Sequence, residues 1–179
     1  MFTKPQRKRP VRKEHNMEQS GNKVEMTDDD DFYKHYSPAE VIAFLKKRNF
    51  EKFTLTDTSA SLFMKNNGLF VLEASDGKIS DETIELAVRM LGDLAKCVRL
   101  AKPWLEHFNL KNDRWHPDAL DAGYEVSSIY VGTYDCGGPF RSPSLGVTIS
   151  FSTVNYYPCQ FTVKYHRNLW PFAVEEWVE

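Results

Sequence analysis

Hydrophobic residues recur at two different spacings along this chain. Between Ile84 and Phe108 they follow one another at intervals of three and four, which predicts one long amphipathic helix. Later in the chain the spacing becomes two, and Val147, Ile149 and Phe151 alternate with hydroxyl-bearing residues. Such alternation is typical of a strand with one buried face. The pattern therefore predicts helix and sheet in separate regions of the chain.

Shorter elements are predicted ahead of the long helix. The residues Ser37-Pro38-Ala39-Glu40 form a capping-box pattern, so a first helix should begin there. Asn66-Asn67-Gly68 lies between two apolar runs, and Asn-Gly in that setting predicts a hairpin. Pro103 falls inside the long helical stripe, where it should kink or split the helix because it has no backbone N–H to donate.

Four consecutive strands with short links are predicted in the C-terminal part. They cover Tyr124–Tyr134, the alternating segments around Ile149 and Val163, and Phe172–Val178. Consecutive strands with short links form antiparallel sheets, and one face of such a sheet must be buried. We therefore predict an α+β fold in which the long helix packs on a mainly antiparallel sheet, preceded by the first helix and the hairpin.

The first 31 residues differ from the rest of the chain. They contain no Leu, Ile, Trp or Tyr, and basic residues between Lys4 and Lys13 precede the acidic run Asp28–Asp31. So few apolar side chains cannot offset the entropy of ordering. Residues 1–31 are therefore predicted to be a disordered charged tail, and residues 32–179 a single α+β domain. The stretch Arg7–Lys13 fits a solvated tail, a nuclear-import signal or a weak nucleic-acid arm.

Composition narrows the class of protein. The chain has 179 residues and a formal charge of −2, which gives no global attraction to nucleic acid or to an anionic membrane. No apolar run is long enough to span a bilayer, and no apolar stretch follows the basic N-terminus as in a secretory signal. Its three cysteines form no CxxC pair, which is typical of a reducing compartment. We therefore expect a cytoplasmic protein.

Cysteine and histidine residues offer candidates for chemistry, and none forms a specific motif. Cys136, in a glycine-containing loop, and His166 would make a nucleophile pair, but no third group completes it. Adding Cys159 does not give the paired spacing of a zinc site. Gly137–Ser142 suits an anion but lacks a phosphate-loop spacing. Glu175 and the next residue, also Glu, point to opposite faces of a strand. We therefore assign no catalytic residue, no metal ligand and no cofactor.

The C-terminal strand combines aromatic and acidic side chains. Period two places three apolar residues on one face and Trp177 with acidic neighbours on the other. The inward-facing set is Phe172, Val174 and Val178. A sheet covered by one helix layer leaves its second face exposed, and an exposed Trp beside carboxylates is typical of an interface. The predicted partner-binding residues are Trp177, Glu175, Glu179 and Trp170. The alternative that these aromatic residues fill the core of the sheet stays open.

The layout from Phe32 to Glu179 resembles small bacterial immunity proteins, which are encoded beside polymorphic or contact-dependent toxins. The likeness lies in the order of elements and, locally, in Phe161–Lys164 and Pro171–Val178. It implies a non-enzymatic cytoplasmic inhibitor that occludes a toxin domain. The alternatives are a small hydrolase or transferase that uses the Cys136 loop, and a nucleic-acid accessory protein that acts through its basic tail. Apart from that tail, we expect neither nucleic-acid nor membrane binding.

Overall fold

The computed structural model describes residues 34–111, 124–134, 143–153 and 159–178, with the side chains of all but 109–111, 153, 159 and 176–178. The described residues form three helices and one seven-stranded sheet, so the fold is α+β, as predicted. The predicted tail, residues 1–31, lies outside the described residues. Its disorder and its boundary at Phe32 stay predictions.

All described strands belong to one sheet and lie in it in sequence order. Neighbouring strands are antiparallel except the third (Gly68–Glu73) and the fourth (Tyr124–Tyr134), which are parallel. Parallel strands cannot be joined by a tight turn, and here two helices make the connection. The strands are β1 (Thr54–Leu55), β2 (Ser59–Met64), β3 (Gly68–Glu73), β4 (Tyr124–Tyr134), β5 (Ser144–Thr153), β6 (Cys159–His166) and β7 (Pro171–Val178).

The turn between β2 and β3 depends on left-handed backbone. Met64 lies opposite Gly68, and Asn66 and Gly68 both have a φ of 61°. A Cβ atom at Gly68 would lie 1.8 Å from the backbone oxygen of Ser127 on β4. Glycine is therefore needed at this position both for the positive φ and for the close approach of the neighbouring strand.

The first helix, α1 (Pro38–Lys46), begins at the predicted capping box. The backbone N–H of Glu40 donates to Ser37 Oγ over 3.3 Å, and the backbone N–H of Ser37 donates to Glu40 Oε2 over 2.8 Å. These hydrogen bonds with Ser37 lower the pKa of Glu40, because they stabilise its carboxylate. Val41 and Leu45, one turn apart, are buried in the core.

The predicted long helix is divided into two helices, α2 (Asp81–Gly92) and α3 (Leu94–Lys111), and the division lies at Asp93. The backbone N–H of Asp93 donates to carbonyls in the last turn of α2, and its own carbonyl accepts from the N–H groups of Lys96 and Cys97. The break follows Gly92, a poor helix former. Pro103, where we predicted the kink or split, lies inside α3 and is exposed. The apolar stripe persists because both helices pack on the same sheet.

The core lies between the three helices and one face of the sheet. Alternate residues of the central strands supply it, so the period-two pattern predicted their buried face correctly. From the sheet these residues include Phe70, Leu72, Ile129, Val131, Val147, Ile149, Phe151, Phe161, Val163 and Tyr165. From the helices they include Val41, Leu45, Ile84, Ala87, Met90, Cys97, Ala101 and Leu105. This arrangement leaves the second face of the sheet to carry the predicted surface.

Candidate functional site

The second face of the sheet carries small polar side chains at its centre. Ser128, Ser150 and Thr162 lie opposite one another on β4, β5 and β6, and Glu175 continues this row on β7. Ser150 Oγ and Thr162 Oγ1 share a hydrogen bond of 3.2 Å. The row leads from the middle of the sheet to β7, which is the last strand in the sheet order.

Glu175 forms an ion pair with the neighbouring strand. Its Oε1 atom lies 2.6 Å from Nζ of Lys164 on β6. The Glu175 side chain is 45% exposed, and that of Lys164 is 20% exposed. The pair orders the carboxylate at the surface and neutralises its charge locally. The predicted partner-binding residue Glu175 is therefore held in an ion pair with Lys164.

Trp170 lies at the surface directly before β7, with 59% of its area exposed. Its backbone is fixed on both sides, because its N–H donates to Asn168 Oδ1 over 3.2 Å and its carbonyl accepts from the N–H of His166 over 3.0 Å. The preceding residue, Leu169, is buried and has a φ of 66°. The turn thus buries Leu169 and presents the indole of Trp170 to solvent from a well-ordered backbone.

Of the two remaining predicted partner-binding residues, the structure describes only the backbone of Trp177. Trp177 lies on β7 opposite Gln160, two residues along the strand from Glu175. The side chain of Trp177 lies outside the described residues, so the face that it occupies stays a prediction. Glu179 also lies outside them. The structure therefore places Trp170 directly before β7 and Glu175 within this strand, and the roles of all four predicted residues stay predictions.

The prediction that Phe172 faces the core with Val174 is wrong. A bulge in the β6–β7 pairing places Lys164 opposite Ala173 and Tyr165 opposite Pro171, so Phe172 has no partner in the register. Its ring stacks on the imidazole of His166 at 4.1 Å between centroids. Val174 lies opposite Val163 and packs against the core, as predicted. A bulge re-aims one side chain of a strand, which simple alternation cannot reveal.

Two glycines in the middle of strands lie beneath tyrosine rings. A Cβ atom at Gly146 would lie 2.0 Å from Cε1 of Tyr134, and one at Gly132 would lie 2.5 Å from the hydroxyl of Tyr130. Burial, together with the nearby carboxylate of Glu73, raises the pKa of Tyr130. The sequence analysis missed these contacts. Glycine inside a predicted strand was the available signal, because it often marks the close approach of another group.

Two titratable groups in the core, the thiol of Cys97 and the phenol of Tyr165, have raised pKa values. Cys97 is buried on α3, and desolvation, followed by the charge of Asp93, raises the pKa of its thiol to about 11. The hydroxyl of Tyr165 donates to the backbone carbonyl of Cys97 over 2.9 Å, and burial raises the pKa of this phenol too. These two groups therefore stay protonated near neutral pH and act in packing.

The predicted reactive loop lies outside the part of the chain that the structure describes. This holds for Cys136 and residues 137–142, and also for the side chain of Cys159. His166, the base of the hypothetical nucleophile pair, is described and stacks on Phe172. Among the described residues, no group of three His, Cys, Asp or Glu side chains is placed to share a metal ion.

Within the described ranges, no helix combines the length and the hydropathy needed to cross a membrane.

Comparison with known proteins gives no match for this chain. No family model matches the sequence, and neither a curated protein nor a solved structure matches it. The function must therefore be inferred from the residues of this chain.

Proposed function

We propose that the chain is a non-enzymatic protein-binding module whose partner surface consists of Trp170 and strand β7. The observation that carries this proposal is the exposure of Trp170, the most exposed large hydrophobic side chain among the described residues. A Trp that is not used in the core contributes little to folding, while it is among the residues most enriched at binding hot spots. Its fixed backbone reduces the ordering cost of binding.

The adjoining strand favours a basic partner. The nine residues from Pro171 to Glu179 contain three Glu and no basic residue. Among the described strands, β7 has a neighbour on one side only, so its outer edge offers backbone N–H and C=O groups to a partner. Because Lys164 neutralises Glu175 locally, the carboxylates of Glu176 and Glu179 are the charges that would accelerate encounter with a basic protein.

The resemblance to immunity proteins suggests what that partner is. Under the proposal, the chain acts in the cytoplasm and covers a basic surface of a toxin domain, so that the toxin cannot reach its substrate. Occlusion needs complementarity and no chemistry from the inhibitor. This is consistent with a surface made of an aromatic side chain, carboxylates and an open strand edge.

Two exposed tryptophans allow a matched test. Trp104 on α3 is 41% exposed and is not part of the proposed surface, so Trp104→Ala is the control for Trp170→Ala. Both variants should change the free energy of unfolding by less than about 1 kcal/mol, as expected at surface sites. Trp170→Ala alone should weaken partner binding by about 2 kcal/mol, or roughly 30-fold in Kd.

The measurement has two stages. Wild type and both variants are used as bait in extract of the native host, and captured proteins are quantified by mass spectrometry. A protein that is captured by wild type and Trp104→Ala, and lost with Trp170→Ala, is then purified and its Kd is measured. If every captured protein is retained by Trp170→Ala, or is lost equally with both variants, this surface is not the binding site.

A further inference from the structure

A cleft of about 510 Å³ opens at the end of the sheet where β4 ends, β5 begins and β6 ends. Its polar lining includes Glu82, Tyr134, Ser144, His166, Arg167 and Asn168. Pockets that bind small molecules typically measure about 300–1,000 Å³. The cleft is therefore large enough for a ligand, and it adjoins the start of β7, where Phe172 stacks on His166.

Several local irregularities converge on this cleft. Gly146 leaves room for the ring of Tyr134, because a Cβ atom at this position would lie only 2.0 Å from the ring. The β7 bulge turns the ring of Phe172 onto His166, and Phe172 also lies 5.3 Å from the Tyr134 ring. Leu169 adopts a positive φ, which is costly for a residue of its size. Bulges and strained residues are concentrated near functional sites, where they aim side chains.

The turn that follows β6 presents hydrogen-bond donors to the cleft. Asn168 Oδ1 accepts the backbone N–H of Trp170, which fixes the orientation of the carboxamide. Its NH₂ group, with two donors, is then the end available to a ligand. The neighbouring Arg167 adds a guanidinium, whose planar donors match the oxygens of phosphates and carboxylates.

The charge around the turn also favours an anion. Arg167 Nη1 lies 3.3 Å from Glu82 Oε2, and both side chains are exposed. An exposed pair of this kind is weak, so a ligand can compete for the guanidinium. Arg89, which lines a separate pocket between α1 and α2, donates to the backbone carbonyl of Arg167 and so holds the turn in place. Arg167 is therefore the guanidinium of the cleft, and Glu82 is the one carboxylate in its described lining.

We propose that this cleft binds a small phosphate monoester, with Arg167 and Asn168 as its principal ligands. A phosphate group offers three oxygens to donors that lie on different sides of it, whereas a carboxylate offers two. The volume of the cleft leaves space for the organic part of the monoester beside the aromatic group of Tyr134, His166 and Phe172. This inference does not depend on the proposed protein partner.

The test is a titration of the full ¹⁵N-labelled chain with glycerol 3-phosphate at constant ionic strength, followed by NMR. We expect saturable shifts of the Arg167 and Asn168 amides. Arg167→Ala should weaken binding by about tenfold or more, as for loss of a charge-assisted contact. Arg48→Ala is the matched control, because Arg48 forms a similar exposed pair with Asp81 outside the cleft. It should leave the Kd unchanged.

A second variant keeps the turn intact while removing its donors. Asn168→Asp retains an oxygen to accept the Trp170 N–H and replaces the NH₂ group by a carboxylate oxygen. It should fold with an unchanged melting temperature and weaken binding by about tenfold or more. The proposal is overturned if no shift saturates, if either cleft variant binds as wild type does, if Arg48→Ala weakens binding equally, or if acetate binds as tightly as glycerol 3-phosphate.

Discussion

The two faces of the sheet use the same strands in different ways. On β6, Phe161, Val163 and Tyr165 pack against the helices as part of one shared core. The alternate residues of this strand have particular neighbours instead, as Lys164 has Glu175 and His166 has Phe172. Apolar contacts on the first face are numerous and largely exchangeable, whereas each contact on the second face depends on one geometry. We infer that the first face determines stability and that the second provides recognition.

The largest effect should come from a residue of the first face. Phe151 on β5 is fully buried, so Phe151→Ala should destabilise the fold by about 3–5 kcal/mol. Its neighbour Ser150 lies on the second face, where its hydroxyl bonds Thr162. Ser150→Ala leaves the buried Thr162 hydroxyl without this partner and should cost about 1–3 kcal/mol, less than Phe151→Ala. Chemical denaturation of both variants measures the difference, and equal losses would contradict the division between the two faces.

A smaller loss of stability is expected for a substitution at Gly146, because this glycine leaves room for the Tyr134 ring on the second face. In Gly146→Ala the new Cβ would meet both the Tyr134 ring and, at 2.5 Å, the backbone oxygen of Tyr165. Such overpacking typically costs about 1–3 kcal/mol. The control is Gly92→Ala, since nothing lies within 4 Å of a Cβ there. It should be neutral or stabilising by up to about 1 kcal/mol. A Gly146→Ala protein as stable as wild type would show that the ring and strand can separate freely.

These two faces were not equally predictable from the sequence. Alternation alone identified the buried residues of β5 and β6, because a strand places successive side chains on opposite faces. The ion pair of Lys164 with Glu175 could not be read in the same way, since it depends on the register of two strands. The stacking of Phe172 on His166 depends on a bulge, which adds one residue without a sequence signal strong enough to locate it.

The division between α2 and α3 was also not predictable from the spacing of apolar residues. The three-and-four spacing identified the apolar stripe correctly, but it did not distinguish one helix from two that pack on the same sheet. Pro103 was the stronger breaker by propensity, yet it removes only one hydrogen bond on an exposed side of α3. Asp93 keeps helical hydrogen bonds on both sides of the break, since its N–H donates to the Arg89 carbonyl and its carbonyl accepts from the Cys97 N–H. The spacing of apolar residues therefore located the stripe but not the break within it.

The stability of the core that packs on the first face should also depend on alkaline pH, through the buried thiol of Cys97 on α3. Its pKa of about 11 in the fold exceeds the ordinary value of 9.0, so the unfolded chain loses this proton first. The stabilising effect is complete below pH 9 and is lost as pH rises from 9 to 11. The loss is about 1.4 kcal/mol per pH unit within that window. The phenol of Tyr165, whose pKa is also raised, adds a similar effect only above its ordinary value of 10.0.

The free energy of unfolding of wild type and Cys97→Ala between pH 8 and pH 10 isolates the thiol. Cys97→Ala should be less stable at pH 8, because a buried atom is lost, and its stability should fall less steeply toward pH 10. Parallel curves for the two proteins would mean that Cys97 ionises as easily in the fold as in the unfolded chain.

The smallest effect on stability is expected for Trp177, the largest side chain of β7. Comparing it with Val174 tests the difference between the two faces within one strand. Trp177 lies opposite Gln160 in the register, whereas Val174 lies opposite Val163 and packs against the core. If the faces differ as we infer, Trp177→Ala should change the free energy of unfolding by less than about 1 kcal/mol. Val174→Ala removes two methyl groups that pack against the core and should cost about 1.5 kcal/mol. Truncating the smaller residue would then be the more damaging change. If Trp177 instead belongs to the core, its truncation should cost about 3–5 kcal/mol in the absence of any partner, and its place among the partner-binding residues would be lost.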